Sequence, residues 1–263
     1  MEWLAYLGIG ALVGFAAGLL GIGGGVVMVP LLVLVFTARG VQSEHVLHLA
    51  IGTALAAMMF TSVASMRAHH AHGAVDWPIA RAMAPGMLVG SFAAAIVAGV
   101  MPTRPLAVVF TAFVFYAATS ILLDVKPRTT RELPGTGGLF TAGAVIGAVS
   151  SLLAAGGAFL SIPFLAWCGV PLRRAIGTAA ANGLPIAIAG TAGYLIQGWR
   201  VPDRPAWSLG YVYLPALALV VTTSMVAAPL GARLAHRLPV KRLRVIFALL
   251  LYLFAVRMVI SVW

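Results

Sequence analysis

Two glycine runs, a repeated Gly-Thr pair and one asparagine are the residues here whose types and spacing suit a chemical task. Gly23, Gly24 and Gly25 interrupt one long apolar segment, and Gly156 and Gly157 interrupt another. A helix that starts inside such a segment exposes unpaired N–H groups and a partial positive charge. Glycine lets an anion come close to that backbone. Thr53 and Thr178 recur inside Ala-Ile-Gly-Thr-Ala sequences and offer hydroxyl donors. Asn182 follows Thr178 one helical repeat later, on the same helix face, and its aligned position in the first copy is Ala57. These residues form the candidate substrate site: Gly23, Gly24, Gly25, Thr53, Gly156, Gly157, Thr178 and Asn182. The competing uses are close helix packing for the glycines and hydroxyls bonded back to the preceding turn for the threonines.

Other reactive side chains are less organised. His69, His70 and His72 lie near Asp76 and beside Arg67 in a short polar stretch. With no second cluster to complete a coordination set, they read as solvated loop histidines, and no metal site is expected. His45 and His48 sit at a helix start, where proton handling is the alternative to a packing role. Cys168 stands alone and reads as a small apolar filler. All six acidic residues fall in predicted loops or ends, so no intramembrane carboxylate is available for a proton relay. Gly-x-Ser-x-Gly, His-Glu-x-x-His and Walker-type sequences are absent. Neither an enzyme nor a bound cofactor is expected.

The elements that would position the site are set by hydrophobicity. Apolar residues make up 62% of the chain and charged residues 9%, against about 25% charged in a water-soluble domain. Asp, Glu, Lys and Arg are missing from Trp3 to Ala38, Val46 to Met66, Ala82 to Thr103, Pro105 to Leu123, Leu133 to Leu172, Ala175 to Trp199 and Pro205 to Ala232, and a last apolar run, Val245 to Val256, continues past Arg257 to Trp263. Backbone in lipid must satisfy its own hydrogen bonds, so these runs predict helices. Short alternating strands of the barrel kind are not visible. The formal charge of +11 sits in short loops between apolar runs and not in a soluble basic domain, which argues against nucleic acid as a partner.

The chain also repeats itself. Gly14 to Leu32 aligns without a gap to Gly147 to Leu165, and Ala50 to Ala54 recurs as Ala175 to Ala179. Residues 1–124 form a first repeat, 125–136 a polar linker and 137–263 a second repeat. Each repeat opens with an apolar run too long for one crossing, broken at its glycines, so each run is predicted to fold back as a hairpin. Six further runs then cross once each. Arg39, Arg104, Arg200, Arg204 and Arg257 fall on the N-terminal side, and the other twelve of the 17 basic residues fall opposite. A single crossing by each broken run would split them almost evenly, so the positive-inside tendency favours hairpins. The expected fold is an all-α polytopic membrane protein of two inverted repeats, each a glycine-broken hairpin plus three transmembrane helices. Inverted repeats with broken helices place a site near mid-membrane between the halves.

With these residues in view, the chain resembles the TauE/SafE family of sulfite and organosulfur anion transporters. The resemblance is carried by Gly18 to Pro30, Ala50 to Ala54, Gly73 to Trp77, Leu152 to Pro163, Ala175 to Ala179, Gly210 to Val212 and Pro229 to Arg233. It departs from the family pattern at Ala154, Ala155 and Ala158 and at Ala179 after the second Gly-Thr. The resemblance implies secondary transport, without ATP, of sulfite, an organosulfonate or a related small anion across the inner membrane, with export as the expected direction. The alternatives are a permease for another small organic anion and a non-transporting membrane scaffold. The expected partners are a small anionic substrate and membrane lipid, with a homo-oligomer as an open option. The basic tract from Arg233 to Arg244 is expected to anchor one face on anionic lipids.

Overall fold

The computed structural model describes residues 2–20, 24–41, 44–123, 131–202, 204–235 and 240–262. The described residues form ten helices: α1 (Glu2–Leu20), α2 (Gly25–Ala38), α3 (Val46–Ala71), α4 (Trp77–Val100), α5 (Thr103–Leu123), α6 (Thr136–Leu153), α7 (Ala158–Trp167), α8 (Leu172–Trp199), α9 (Leu214–Ala235) and α10 (Val240–Val262). The all-α polytopic architecture expected from the sequence is present. Five helices, α3, α4, α5, α6 and α8, are long and apolar enough to cross a membrane. Shorter apolar stretches occupy α1, α2, α7, α9 and α10.

One departure is local. The apolar run from Pro205 to Ala232 is not a single helix. Its first part forms a two-stranded antiparallel ribbon, β1 (Ser208–Leu209) with β2 (Val212–Tyr213). Gly210 turns the ribbon with φ +56°, and helix α9 begins only after it. Pro205 and the glycine turn stop a helix that hydrophobicity alone would have continued.

Both overlong runs break at their glycines and fold back. At the end of α2, Arg39 Nη1 donates to Tyr6 Oη, in the second turn of α1, at 3.3 Å. After α7, the Trp167 carbonyl accepts from the Arg131 N–H just ahead of α6. The ends of each run therefore meet. The limbs are unequal. At 1.5 Å per residue, α1 and α6 measure about 28 Å and α2 and α7 about 21 and 15 Å. The first limb of each hairpin comes near to a full crossing and the second falls short.

Helices α3 and α8 lie side by side at the centre. The most apolar window of α3 is 78% buried and that of α8 is 61%, against 39% for α4. Around them α1 packs along α9 and α4 along α6. Glycines allow these outer pairs to touch backbone to backbone: Gly10 and Gly14 meet Val220 and Ser224, and Gly86 and Gly90 meet Phe140 and Ala144. The outward faces carry exposed apolar side chains such as Leu4, Val89, Val97, Val145 and Val226, a lipid-facing surface rather than a water-facing one.

The two ends of the bundle are distinct. One end, here the tyrosine end, gathers Tyr6, Phe36, Tyr213 and Arg39 in mutual contact. It also holds His45, His48 and Tyr211, whose rings pack together. The other, the histidine end, carries the His69–Asp76 loop, with Arg173 bonded to the His72 carbonyl and Arg174 3.8 Å from Asp76. Tryptophans stand at both ends, with Trp3, Trp199 and Trp207 exposed at the first, and Trp167 exposed and Trp77 half-buried at the second. That is the interfacial placement of amphipathic rings.

Candidate substrate cavity

The two glycine breaks touch. A β-carbon on Gly25 would sit 1.9 Å from the Ala154 carbonyl oxygen, so the start of α2 lies directly on the end of α6. Beside this contact opens a cavity of about 400 Å³, within the usual size range of small-molecule sites. Gly24 and Gly25 line it from the first break and Gly156 from the second. Thr61, Ser62, Ser65 and His69 on α3 and Ser224 on α9 supply its side-chain polarity. Carboxylates are absent from the described lining. The cavity runs from mid-helix, at Ala54 and Met58, to Ala68 and His69 in the last turns of α3. It therefore reaches toward the histidine end, while the tyrosine cluster fills the other.

Two helices begin at this cavity without a side-chain cap. The N-cap of α2 is Gly24 and that of α7 is Gly157, and among the described residues neither N-cap supplies a side-chain hydrogen bond. The second break is tightly coiled. Ala154, Gly156 and Gly157 all have left-handed φ, at 47°, 59° and 49°. For Ala154 this conformation carries a strain that glycine would avoid.

The remaining candidates occupy other places. Gly23 lies outside the described residues. Gly157 is near the cavity but faces Ile186 and Gly183 of α8. Thr53 and Thr178 are fully buried and stand apart from the described lining. Their hydroxyls join the two halves. Thr53 Oγ1 donates to the Leu49 carbonyl at 2.6 Å and accepts the Tyr213 N–H at 3.0 Å. Thr178 Oγ1 accepts the Asp76 N–H, also at 3.0 Å. The preceding glycines sit under the same loops, with Gly52 against the Tyr211 carbonyl and Gly177 against the Ala74 carbonyl.

Asn182 neighbours Gly183 in the cavity wall, yet its amide nitrogen points at Met83 Sδ on α4, 3.6 Å away. Its Oδ1 is buried without a hydrogen-bond partner among the described residues.

Sequence reasoning did not single out Ser62, Ser65 or Ser224, because serine in an apolar helix carries no distinctive local signal. The histidines divide by place. His69 lines the cavity, whereas His70 accepts from Trp77 Nε1 and the ring of His72 meets the Ala68 carbonyl. His48 Nε2 lies 3.0 Å from the carbonyls of both Ala98 and Met101 and, since a carbonyl only accepts, carries the proton and ties α3 to the α4–α5 turn. Arg39 bonds to Tyr213, which holds its guanidinium more basic than usual. Burial pushes the Tyr211 phenol upward. Among the described residues no group of three or more His, Cys, Asp or Glu could hold a metal.

A many-helix membrane bundle with an internal cavity, mostly apolar with a few hydroxyls, suits a membrane transporter, and comparison with known proteins places the chain accordingly. It belongs to the family described as Sulfite exporter TauE/SafE, which matches over residues 6–258. The chain is 36% identical over 252 residues, 95% of each chain, to a probable membrane transporter protein of Haemophilus influenzae. It is 25% identical over 92% of its length to one from Methanocaldococcus jannaschii, of which it covers 90%. A third, from Bacillus subtilis, is 26% identical, with 87% of this chain and 88% of that one aligned. No solved structure matches the chain at a significant level.

Proposed function

We propose that this protein is a secondary transporter that moves sulfite, an organosulfonate or a related small sulfur-containing anion across the inner membrane, outward and without ATP. The observation that carries this reading is that α2 and α7 both begin uncapped, at Gly24 and Gly157, next to a cavity that carries the hydroxyls of Thr61, Ser62, Ser65 and Ser224 and is free of described carboxylates. Unpaired N–H groups and the positive ends of α2 and α7 suit an anion there. In this reading Gly23, Gly24, Gly25, Gly156 and Gly157 form the backbone cradle. Thr53 and Thr178 hold the helices that bear it, and Asn182 adds an amide from the wall.

Two further parts of the reading concern layout. The halves 1–124 and 137–263 act as inverted repeats joined by the linker 125–136. The exchanged packing of α1 on α9 and α4 on α6 supports this. The histidine end, with Arg67, Arg173 and Arg174, faces the cytoplasm by the positive-inside tendency. Lipid contacts of the basic tract and self-association belong to the same proposal. A permease for another small organic anion is the second reading, since nothing in the cavity lining is specific for sulfur.

Purified protein in proteoliposomes tests the proposal. Sulfite, thiosulfate, sulfoacetate, taurine and, as a sulfur-free carboxylate, acetate are supplied singly, and flux is followed with and without an ion gradient. Flux of a sulfur anion that exceeds empty liposomes, and its loss in Gly25→Ala, is the expected result. Flux of a carboxylate alone supports the second reading. No flux with any anion rejects both.

A further inference from the structure

Among the described residues nine side chains hold a buried polar atom without a hydrogen-bond partner, and Ser91, Ser150, Ser161 and Tyr194 are four of them. Each of these residues is at most 1% exposed. A buried hydroxyl without a partner is costly and demands a reason.

The repeat supplies one. The alignment of Gly14 to Leu32 with Gly147 to Leu165 pairs Ala17 with Ser150 and Met28 with Ser161. That of Ala50 to Ala54 with Ala175 to Ala179, continued along α3 and α8, pairs His69 with Tyr194. The matching bonds of Tyr213 to Thr53 and of Asp76 to Thr178 set α9 and α4 in register and pair Ala228 with Ser91. Ala17, Met28, His69 and Ala228 all line the open cavity. The four orphaned hydroxyls are thus the repeat-equivalents of four cavity-lining residues.

The region they occupy is tightly closed. A β-carbon on Gly147 of α6 would lie 2.8 Å from Ser91 Oγ, and one on Gly190 of α8 would lie 2.8 Å from Ser151 Oγ. Toward the tyrosine end, Tyr194 packs edge-on against Tyr211 at 6.4 Å, and the Tyr211 N–H bonds to the Tyr194 carbonyl.

We propose that Ser91, Ser150, Ser161 and Tyr194 line a second vestibule for the same class of small oxyanion, one that opens at the tyrosine end when the cavity at the histidine end closes. The idea rests on the transport reading above. Inverted halves can exchange their conformations, and the exchange turns the packed α4–α6–α8 region into a cavity like the present one. The hydroxyls then meet water or anion, which explains why they are polar while sealed. Hydroxyls donate to oxyanions and repel no negative charge. The two vestibules place their hydroxyls at different repeat positions: where the present cavity has Thr61, Ser62, Ser65 and Ser224, the second has Ile186, Ala187, Gly190 and Met87.

Accessibility to a membrane-impermeant methanethiosulfonate tests this in proteoliposomes of oriented protein, in a Cys168→Ala background. Ser65→Cys reports the open cavity, while Ser91→Cys and Ser150→Cys report the closed one. Ser65→Cys should react from the histidine end. Ser91→Cys and Ser150→Cys should react only from the opposite end, several-fold faster during sulfite exchange than without it, and their modification should block exchange. If sulfite does not move yet these positions react from the tyrosine end, the substrate reading fails and the vestibule stands. Inertness of both positions from both ends overturns the vestibule, with or without sulfite flux. So does reaction from the same end as Ser65→Cys.

Discussion

The Tyr213 backbone N–H donates to Thr53 Oγ1 at 3.0 Å, which binds the ribbon before α9 to the middle of α3. The Asp76 N–H makes the same bond to Thr178 on α8. Each threonine therefore holds the loop of the other half, and each is backed by a glycine that lets the loop lie flat on the helix. The repeated Gly-Thr pair is a reciprocal fastening between halves.

Removing one fastener should weaken the fold. Thr53→Val and Thr178→Val each leave a buried N–H without its acceptor, a loss of about 1–3 kcal/mol. Thr53→Ser and Thr178→Ser keep the oxygen and should recover most of it. Thermal unfolding in detergent measures the difference. Unchanged stability combined with weaker anion binding would move these hydroxyls from fastening to substrate contact.

The contact between the breaks makes a sharp comparison. Gly25→Ala drives a methyl onto the Ala154 carbonyl, whereas Gly8→Ala meets nothing within 4 Å. We predict that Gly8→Ala folds and transports as the parent does. Gly25→Ala should lose at least about 1–3 kcal/mol of stability through overpacking, along with its transport. Yield of monodisperse protein and flux are the readouts.

Ala154 offers the opposite case. Its φ of 47° places a β-carbon in left-handed backbone, at a cost of about 1–2 kcal/mol. Glycine removes that cost and adds back about 0.5–1 kcal/mol of chain entropy. Ala154→Gly should therefore be neutral to stabilising, by up to about 1.5 kcal/mol, visible as an unchanged or raised Tm and never a lowered one.

Asn182 separates binding from packing. Its Oδ1 has no described partner and its Nδ2 meets only a thioether, so Asn182→Leu should leave stability near that of the parent. If the amide donates to a bound oxyanion, the same change weakens affinity by about 1.5–3 kcal/mol, roughly ten- to a hundred-fold. Asn182→Asp should destabilise strongly, since it buries an unpaired carboxylate. Stability and sulfite affinity are measured on the same purified variants. Parent-like affinity in Asn182→Leu takes the side chain out of the site.

The layout of the ends can be read by labelling. Arg173 and Arg200 are exposed at opposite ends of α8, so Arg173→Cys and Arg200→Cys should react with an impermeant maleimide from opposite faces of the membrane. The native Cys168 should add little background. It is buried, and burial pushes its thiol upward against the lowering effect of Arg131. Its thiolate is therefore scarce near neutral pH and its labelling should rise with pH. Labelling of both engineered positions from one face would rule out the layout.

Much of this protein is legible without coordinates because lipid makes local demands. A charge-free run must satisfy its own backbone, so the helices and the membrane class follow from composition and run length. Gly23 to Gly25 and Gly156 to Gly157 announce breaks because glycine is poor in helices and the runs exceed a bilayer. The sequence by itself thus determined the spans, the breaks and the family. Tertiary structure alone decided which break residues face the cavity, that Gly25 rests on Ala154, and that Thr53 and Thr178 reach across to the opposite half. Those are contacts between residues far apart in the chain, chosen by how whole helices dock, and no periodicity encodes them. The start of α9 shows the same limit, since Pro205 to Tyr213 is as apolar as a helix yet folds as a ribbon once its backbone can bond to α3 and α8.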